Sequence, residues 1–263
     1  MTPASFVVRA LGRRVKVTLD ASLLEEARRV WHLCLDDDAD DDGGAVDADV
    51  HHDPPVVAVE GGASLQTLRT ASLQELTQSI THAAIGAAAG ELLMLHAGAV
   101  CDPRTGATLV YAAPGGTGKT TVTSTFGPGR GYLTDETVGL TRDLTVVAYP
   151  KPLSVRRGDT AFLKHETAPG DLGLASPTVR PWLAGIVALR RDASPGAPVE
   201  VEEVGLLDAL VLLAPETSSL ARLDEPLRRL ADAVEAAGGL RVVHFADAPD
   251  LEPVVTEVLG RTR

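Results

Sequence analysis

The chain has 263 residues, of which 44% are hydrophobic, and it carries a formal charge of −12 at pH 7. This length suits one large domain or a large domain with a smaller one, and we expect the second arrangement. The negative charge argues against binding to nucleic acid or to anionic membranes, because both need Lys and Arg to neutralise phosphates. We therefore expect neither nucleic acid nor a membrane among the partners.

The cysteines and the first residues indicate an intracellular setting. Cys34 and Cys101 are far apart in sequence and lack metal-ligand spacing, which is typical of a reducing cytoplasm. Residues 1–5 show no basic region followed by an apolar core, and no apolar run approaches the length of a membrane span. We expect a soluble, cytoplasmic protein.

Residues 1–90 predict a small α+β module. Phe6–Leu11 and Val15–Leu19 are typical of short strands. Asp20 or Ser22 would cap a helix that continues to Trp31. A further candidate strand covers residues 56–59. The mixture of strands and one helix makes this a module distinct from the rest of the chain.

An acidic segment interrupts this module at about residues 36–53. Residues 36–44 contain six aspartates and no apolar side chain larger than alanine, so we expect a flexible loop. A cation site, or a docking strip for a basic partner, is the alternative. His51, His52 and Asp53 are potential metal ligands, but structural zinc takes four protein ligands and no others are near in sequence.

Residues 91–263 alternate helix and strand patterns, which predicts an α/β domain. A helix is expected from Ser72 towards Leu95, because Ser72 and Glu75 form a capping box; residues 92–95 are also a candidate strand. Further predicted helices are Leu206–Leu213 and Glu225–Ala237. The other predicted strands are Ala97–Val100, Ala107–Ala112, Val138–Leu140, Val146–Tyr149, Ile186–Leu189 and Leu240–Phe245.

The most informative motif is A-P-G-G-T-G-K-T-T, which follows a predicted strand. It has the pattern of a phosphate-binding loop, with Ala113 in place of the first glycine. In such a loop backbone N–H groups surround phosphate oxygens, the lysine reaches the β- and γ-phosphates, and the next hydroxyl holds Mg²⁺. The alternative is a turn that binds nothing. The predicted nucleotide-binding residues are Ala113, Pro114, Gly115, Gly116, Thr117, Gly118, Lys119, Thr120 and Thr121.

Two other segments carry side chains suited to phosphoryl transfer. This chemistry needs neutralisation of the phosphates, a metal ion and a group that accepts the proton of the attacking hydroxyl. His96 interrupts an apolar run, and Asp135 and Glu136 follow a short apolar stretch. Taken singly, the histidine could be a core residue and the acidic pair a turn or a helix cap. Their combination with the glycine-rich motif favours a catalytic role.

The order of these three segments resembles a known family. A histidine in L-H-A-G-A-V, then the phosphate-binding loop, then the acidic pair in Y-L-T-D-E, is similar to the carboxy-terminal domain of HPr kinase/phosphorylase. The chain most resembles the related kinases of bacterial gene clusters, including those for lasso peptides. The likeness covers about Leu92 to Arg156, including the phrase Y-P-K-P-L-S-V-R. It implies a P-loop-containing α/β domain, like the HPr kinase carboxy-terminal domain, after a small α+β module.

The resemblance also implies roles for individual residues. Asp135 would accept the proton of the substrate hydroxyl, Lys119 would stabilise the transferring phosphoryl group, and His96 would orient or tune the acidic pair. Thr120 and Glu136, with Asp135, would contact Mg²⁺. The family's pair is usually Asp-Asp, whereas this chain has Asp-Glu, which leaves the metal geometry open. The later signature of the phosphorylase reaction has no counterpart in this chain, so we do not expect phosphorolysis.

The implied activity is an ATP-dependent transfer to a serine or threonine hydroxyl of a peptide or small protein, such as a ribosomally made precursor peptide. The alternatives are a nucleotide-binding regulatory or assembly protein and a small-molecule kinase. The sequence leaves open whether the protein forms a homo-oligomer and whether it uses ATP or GTP. Lys151 and Arg156 would contact nucleotide phosphates or an acidic peptide, or else belong to an ordinary surface loop.

Overall fold

The computed structural model describes residues 3–36, 56–60, 65–69, 72–156 and 164–263, with backbone alone at 56–60 and 65–69. Of the acidic loop predicted at about residues 36–53, only Asp36 is described; it is buried and forms ion pairs with Arg9, at 3.3 Å, and Arg14, at 2.9 Å. The rest of that loop, with His51, His52 and Asp53, lies outside the described residues. The helices, in chain order, are α1 (Ala21–Val30), α2 (Leu73–Ala88), α3 (Lys119–Phe126), α4 (Leu206–Leu213), α5 (Pro226–Ala236) and α6 (Glu252–Leu259). The strands are β1 (Pro3–Ala10), β2 (Arg13–Asp20), β3 (Val56–Glu60), β4 (Leu65–Arg69), β5 (Leu93–Leu95), β6 (Ala97–Cys101), β7 (Ala107–Ala112), β8 (Gly131–Thr134), β9 (Val138–Leu140), β10 (Val146–Val147), β11 (Leu153–Arg156), β12 (Lys164–Thr167), β13 (Trp182–Arg190), β14 (Glu200–Val204), β15 (Thr217–Ser218) and β16 (Leu240–His244).

Backbone contacts divide the chain into two compact units. The first unit comprises Met1–Ala88 and Tyr149–Asp171, and the second comprises Ala89–Ala148 and Leu172–Arg263. One junction falls beside the boundary predicted at residue 90. The segment Tyr149–Asp171, which the sequence pattern assigns to the second domain (91–263), groups with the first unit.

In the first unit, β1 to β4 form an antiparallel sheet in chain order. Helix α1 begins as predicted, because the Asp20 carboxylate accepts a hydrogen bond of 2.7 Å from the backbone N–H of Ser22. The hairpin β11–β12 belongs to this unit through buried polar contacts with α2. Glu166 accepts a hydrogen bond of 2.9 Å from the Thr77 hydroxyl. These contacts explain why the hairpin groups with residues that precede it by many positions.

The second unit is a mixed α/β structure around a six-stranded sheet. The strand order is β14-β16-β13-β7-β6-β8. β7, β13 and β16 are parallel, whereas β6 is antiparallel to both of its neighbours and β14 is antiparallel to β16. A smaller antiparallel sheet has the order β10-β9-β5-β15. The predicted α/β class of this region is confirmed.

The central part of the six-stranded sheet is buried on both faces, which explains the continuous apolar run of β7. Val110 and Ala112 pack on one face with residues of α4 and α5, whereas Leu109 and Tyr111 pack on the other face with α3 and α6. All six residues of β7 are buried. A strand with both faces covered lacks polar alternation and carries apolar residues at every position. The loop that follows β7 therefore starts from a rigid support.

Several element bounds differ from those expected. Helix α2 ends at Ala88 and not near Leu95, since Gly90 adopts a φ of +89° that a helix cannot continue. Leu93–Leu95 is instead the strand β5. No helix among residues 3–36, 72–156 and 164–263 combines the length and the apolar character needed to cross a membrane.

Candidate functional site

The strand order brings the three predicted segments to one edge of the six-stranded sheet. β6 lies between β7 and β8 and runs antiparallel to both, with Ala97 opposite Ala112 and Ala99 opposite Thr134. The beginning of β6 therefore meets the ends of β7 and β8. His96 comes directly before β6, the glycine-rich loop (Ala113–Gly118) follows β7, and Asp135 follows β8.

The backbone of the glycine-rich loop depends on two of its glycines. Gly116 and Gly118 have φ values of +86° and +109°, which side-chain-bearing residues rarely adopt. A Cβ at Gly115 or Gly116 would meet no atom within 4 Å, so the loop backbone faces open space there. Helix α3 begins at Lys119, directly after this turn. Strand, glycine loop and helix thus follow one another as the motif requires.

Lys119 is folded back over the loop that precedes it. Its side-chain Nζ donates hydrogen bonds to the carbonyl oxygens of Ala113, at 2.5 Å, and Pro114, at 3.4 Å. Only 8% of the residue is exposed. The ammonium charge therefore lies directly under the loop, at the amino-terminal end of α3, where the partial charge of the helix is also positive. This end of the sheet is suited to an anion.

The Thr120 hydroxyl donates a hydrogen bond of 2.8 Å to Oδ2 of Asp135. Asp135 is 5% exposed, and Thr120 is half-buried in the first turn of α3. A hydroxyl and a carboxylate are hard oxygen ligands of the kind that Mg²⁺ prefers. In the described parts of the chain no group of three or more His, Cys, Asp and Glu is arranged to hold a metal ion. A cation at this site would accordingly depend on few carboxylates and on other oxygens, as Mg²⁺ commonly does.

The Thr134 side chain ends β8 and turns the chain at the acidic pair. Its hydroxyl oxygen accepts hydrogen bonds from the backbone N–H groups of Glu136, at 3.2 Å, and Thr137, at 3.3 Å. Because the extended strand stops here, the alternation of adjacent side chains stops as well. Asp135 is buried, whereas Glu136 is half-buried. The two carboxylates are therefore in different environments.

Tyr111 fastens α3 to the sheet behind the loop. Thr123 donates to the carbonyl of Lys119 at 3.0 Å, so its oxygen accepts the phenol proton of Tyr111 at 2.5 Å. The ring of Tyr111 lies over Gly98 on β6, where a Cβ would overlap it. Burial raises the pKa of Tyr111, despite the hydrogen bond to Thr123, and the nearby Asp135 charge adds to this. Tyr111 thus stays a neutral anchor for the first turn of α3.

His96 is near both Lys119 and Glu136. Burial is the main reason that its pKa lies below the ordinary value, and the charge of Lys119 lowers it further. Glu136 and Glu216 oppose this shift through their charges, and the nearby backbone of Glu136 opposes it further. The backbone N–H of His96 donates to the Glu216 carbonyl at 2.6 Å. A neutral imidazole at pH 7 is the consequence.

A cleft beside the glycine-rich loop contains residues that the sequence patterns did not indicate. It has a volume of about 420 Å³ and is lined by residues 115–117 and Leu189–Asp192. β13 is the parallel neighbour of β7, with Ala188 opposite Ala112, so the residues after β13 face those after β7. Carboxyl ends of adjacent parallel strands are common ligand sites. Only the pairing of β13 with β7 indicates that Leu189–Asp192 line this cleft, and no local sequence pattern shows that pairing.

Lys151 and Arg156 lie in the first unit in different environments. Lys151 is 1% exposed, and its Nζ donates to the Pro152 carbonyl at 3.0 Å. Burial raises the pKa of Cys34, and the charge of Lys151 opposes that shift. Arg156 is exposed at the end of β11. The burial of Lys151 contradicts the alternative that this residue belongs to an ordinary surface loop.

No protein-family model and no curated protein matches this chain.

Proposed function

We propose that this protein is an ATP-dependent kinase that transfers a phosphoryl group to a serine or threonine hydroxyl of a peptide or small protein. The observation that carries the proposal is the 2.8 Å hydrogen bond between Thr120 and Asp135. It joins the residue after the motif lysine, on α3, to a buried carboxylate that directly follows β8. A glycine-rich turn without a ligand has no need of such a carboxylate, since burying a charge is costly.

The triphosphate would be bound by the loop and by Lys119. Backbone N–H groups of the glycine-rich loop and of the first turn of α3 would surround the phosphate oxygens. Lys119 would leave the carbonyls of Ala113 and Pro114 and neutralise charge that develops on the transferring group. Ala113 supplies only its backbone to this arrangement, so alanine serves where the strict motif has glycine.

Transfer requires that a proton leave the attacking hydroxyl. In the proposed step, the acceptor oxygen forms a bond to the γ-phosphorus, the bond from that phosphorus to the β,γ-bridging oxygen breaks, and Asp135 takes the hydroxyl proton. Bound Mg²⁺ would supply neutralisation of phosphate charge. Thr120, Asp135 and Glu136 are the residues that would hold it. His96 would orient or tune the acidic pair, since it lies near Glu136.

The test is incubation of the purified protein with labelled ATP, Mg²⁺ and serine-containing precursor peptides, followed by mass spectrometry. The expected result is a peptide heavier by one phosphoryl group, with transfer lost in Asp135→Asn. Nucleotide hydrolysis that needs no peptide and survives Asp135→Asn would overturn the transferase mechanism. Transfer to small metabolites and to no peptide would reassign the protein as a small-molecule kinase.

A further inference from the structure

The cleft beside the glycine-rich loop has two chemically different walls. One wall is the backbone of residues 115–117, and the other is Leu189–Asp192 at the end of β13. The cleft volume, about 420 Å³, falls in the range of small-molecule sites. We propose that this cleft takes the nucleoside half of the nucleotide and that the Asp192 carboxylate accepts hydrogen bonds from the ribose hydroxyls; this inference rests on the proposed nucleotide-binding function.

The charges on the two sides of the glycine-rich loop set the direction of the bound nucleotide. Lys119 and the amino-terminal end of α3 are positive, which favours phosphates there. Asp192 places a carboxylate in a wall that also contains Arg190 and Arg191, and this carboxylate repels phosphate and accepts hydrogen bonds. A ligand group that meets Asp192 must therefore donate hydrogen bonds and must not be anionic. The ribose 2′- and 3′-hydroxyls meet both conditions.

Asp192 is held in a defined orientation while part of its carboxylate stays accessible. His244, at the end of β16, has its Nδ1 at 2.9 Å from Oδ1 and 3.1 Å from Oδ2 of Asp192. The Asp192 side chain is 56% exposed. A carboxylate has about four lone-pair positions, so the contact with His244 leaves capacity for a diol. A carboxylate on the ribose hydroxyls is also the arrangement that dinucleotide-binding sheets use at a strand end.

The neighbouring Arg191 forms hydrogen bonds within the protein, which hold its side chain in a fixed position in the cleft wall. Arg191 donates from Nε to the carbonyl of Ala246 at 2.8 Å and from Nη2 to Asp247 at 3.0 Å. The backbone N–H of Phe245 donates to the carbonyl of Arg190 at 3.0 Å. The ends of β13 and β16 are thereby tied together. A preformed wall binds a ligand at a lower entropic cost than a mobile loop.

The test compares ligands that share the triphosphate and differ in the ribose. Calorimetric titration with ATP, 3′-deoxy-ATP, 2′-deoxy-ATP and inorganic triphosphate is carried out on the full chain and on Asp192→Ala. We expect Asp192→Ala to weaken ATP binding by roughly tenfold, the effect of a hydrogen bond to a charged group. The same substitution should leave inorganic triphosphate unaffected and should change the affinity for at least one deoxy analogue far less than that for ATP. Asp232→Ala, an exposed carboxylate on α5 that does not line the cleft, is the control.

The outcomes separate this inference from the proposed function. If neither ATP nor inorganic triphosphate binds, the nucleotide-binding function itself fails. If both bind and Asp192→Ala changes neither, the ribose contact is refuted while the function stands. If Asp192→Ala loses the same factor of affinity for ATP and for both deoxy analogues, the ribose contact is refuted and Asp192 contacts the base instead. Titration with purine riboside triphosphate would then locate the contact on the base. Asp192→Asn, which keeps the side-chain shape, checks by thermal unfolding and titration that a loss does not come from misfolding.

Discussion

The Thr120 hydroxyl donates a hydrogen bond of 2.8 Å to Oδ2 of Asp135 and so joins the first turn of α3 to the residue that follows β8. Helix α3 and β8 are consecutive elements, joined by a turn in which the backbone N–H of Arg130 donates to the carbonyl of Gly127 at 2.9 Å. Because Asp135 is 5% exposed, its carboxylate depends on protein groups for hydrogen bonds that water would otherwise supply. The pair therefore contributes to stability before any ligand binds.

Replacing Thr120 by Val should destabilise the protein, because Val keeps the shape and removes the donor. We expect the free energy of unfolding to fall by about 1–3 kcal/mol, the usual cost of removing a buried hydrogen-bond donor. Thr120→Ser, which keeps the hydroxyl, should stay close to the parent. Urea unfolding without nucleotide gives the comparison, and Thr121→Val, at an exposed position of the same helix, is the control. Equal loss in the Val and Ser variants would mean that the hydroxyl contributes nothing.

Lys119→Ala should abolish transfer, with turnover reduced about 100-fold or more, since a preorganised charge at the transferring group is lost. The same variant should raise the pKa of His96, because the Lys119 charge is one of the causes that lower it. An NMR titration of the imidazole measures this shift. Lys16→Ala, in the first unit, should change neither property. An unchanged His96 titration would show that the two side chains are not electrostatically coupled.

Asp135→Asn and Glu136→Gln should have unequal effects on turnover. A lost proton acceptor lowers the rate of the chemical step by roughly 10²- to 10⁴-fold, and Asp135→Asn is expected to show this loss with little change in ATP affinity. Glu136→Gln should mainly weaken the dependence on Mg²⁺ concentration. Steady-state kinetics at several Mg²⁺ concentrations measure both effects. The reverse pattern would exchange the roles of the two carboxylates.

His96 should make the protein less stable at acidic pH. Its pKa in the folded state lies below the ordinary value of 6.5. As the pH falls through 6.5, the unfolded chain gains a proton on this histidine before the folded protein does, so the free energy of unfolding decreases. His96→Gln should lose less stability than the parent between about pH 7.5 and pH 5. Urea unfolding across this range provides the measurement, with exposed His82→Gln as the control.

Gly98→Ala, on β6, should destabilise the protein and displace the first turn of α3. The new methyl group would overlap the ring of Tyr111, whose hydroxyl is bonded to Thr123 on α3. Overpacking of this kind typically costs about 1–3 kcal/mol. Thermal unfolding should show the loss, and nucleotide binding should weaken if the first turn of α3 moves. Gly86→Ala, on α2, meets no atom within 4 Å and should have no comparable cost.

Local patterns predicted much of what surrounds the glycine-rich loop. β7 was expected over Ala107–Ala112 and is found there, and the predicted helices at Leu206–Leu213 and near Glu225–Ala237 are α4 and α5. These elements have strong local signals, such as a continuous apolar run or a helical period. The sequence predicted that His96, Lys119 and Glu136 act together only from the order of their segments. The structure adds that all three residues lie at one edge of the six-stranded sheet.

The remaining features depend on contacts between distant residues. The segment Tyr149–Asp171, which contains the hairpin β11–β12, groups with the first unit, where Glu166 accepts a hydrogen bond from Thr77 and the hydroxyls of Tyr149 and Thr81 are hydrogen-bonded. The strand β14 was not predicted, since its sequence E-V-E-E-V is exposed and acidic and it is held by pairing with β16. The wall at Asp192 likewise follows from the position of β13 beside β7, which no local pattern encodes.

The antiparallel placement of β6 has a practical consequence for protein engineering. The turn between β6 and β7 lies at the sheet edge opposite to His96, separated from it by the length of β6, roughly 16 Å. This turn is held by local hydrogen bonds from Arg104 and Thr105 to Asp102. An epitope tag or a fluorophore attached there would report on the molecule without approaching the loop or the acidic pair.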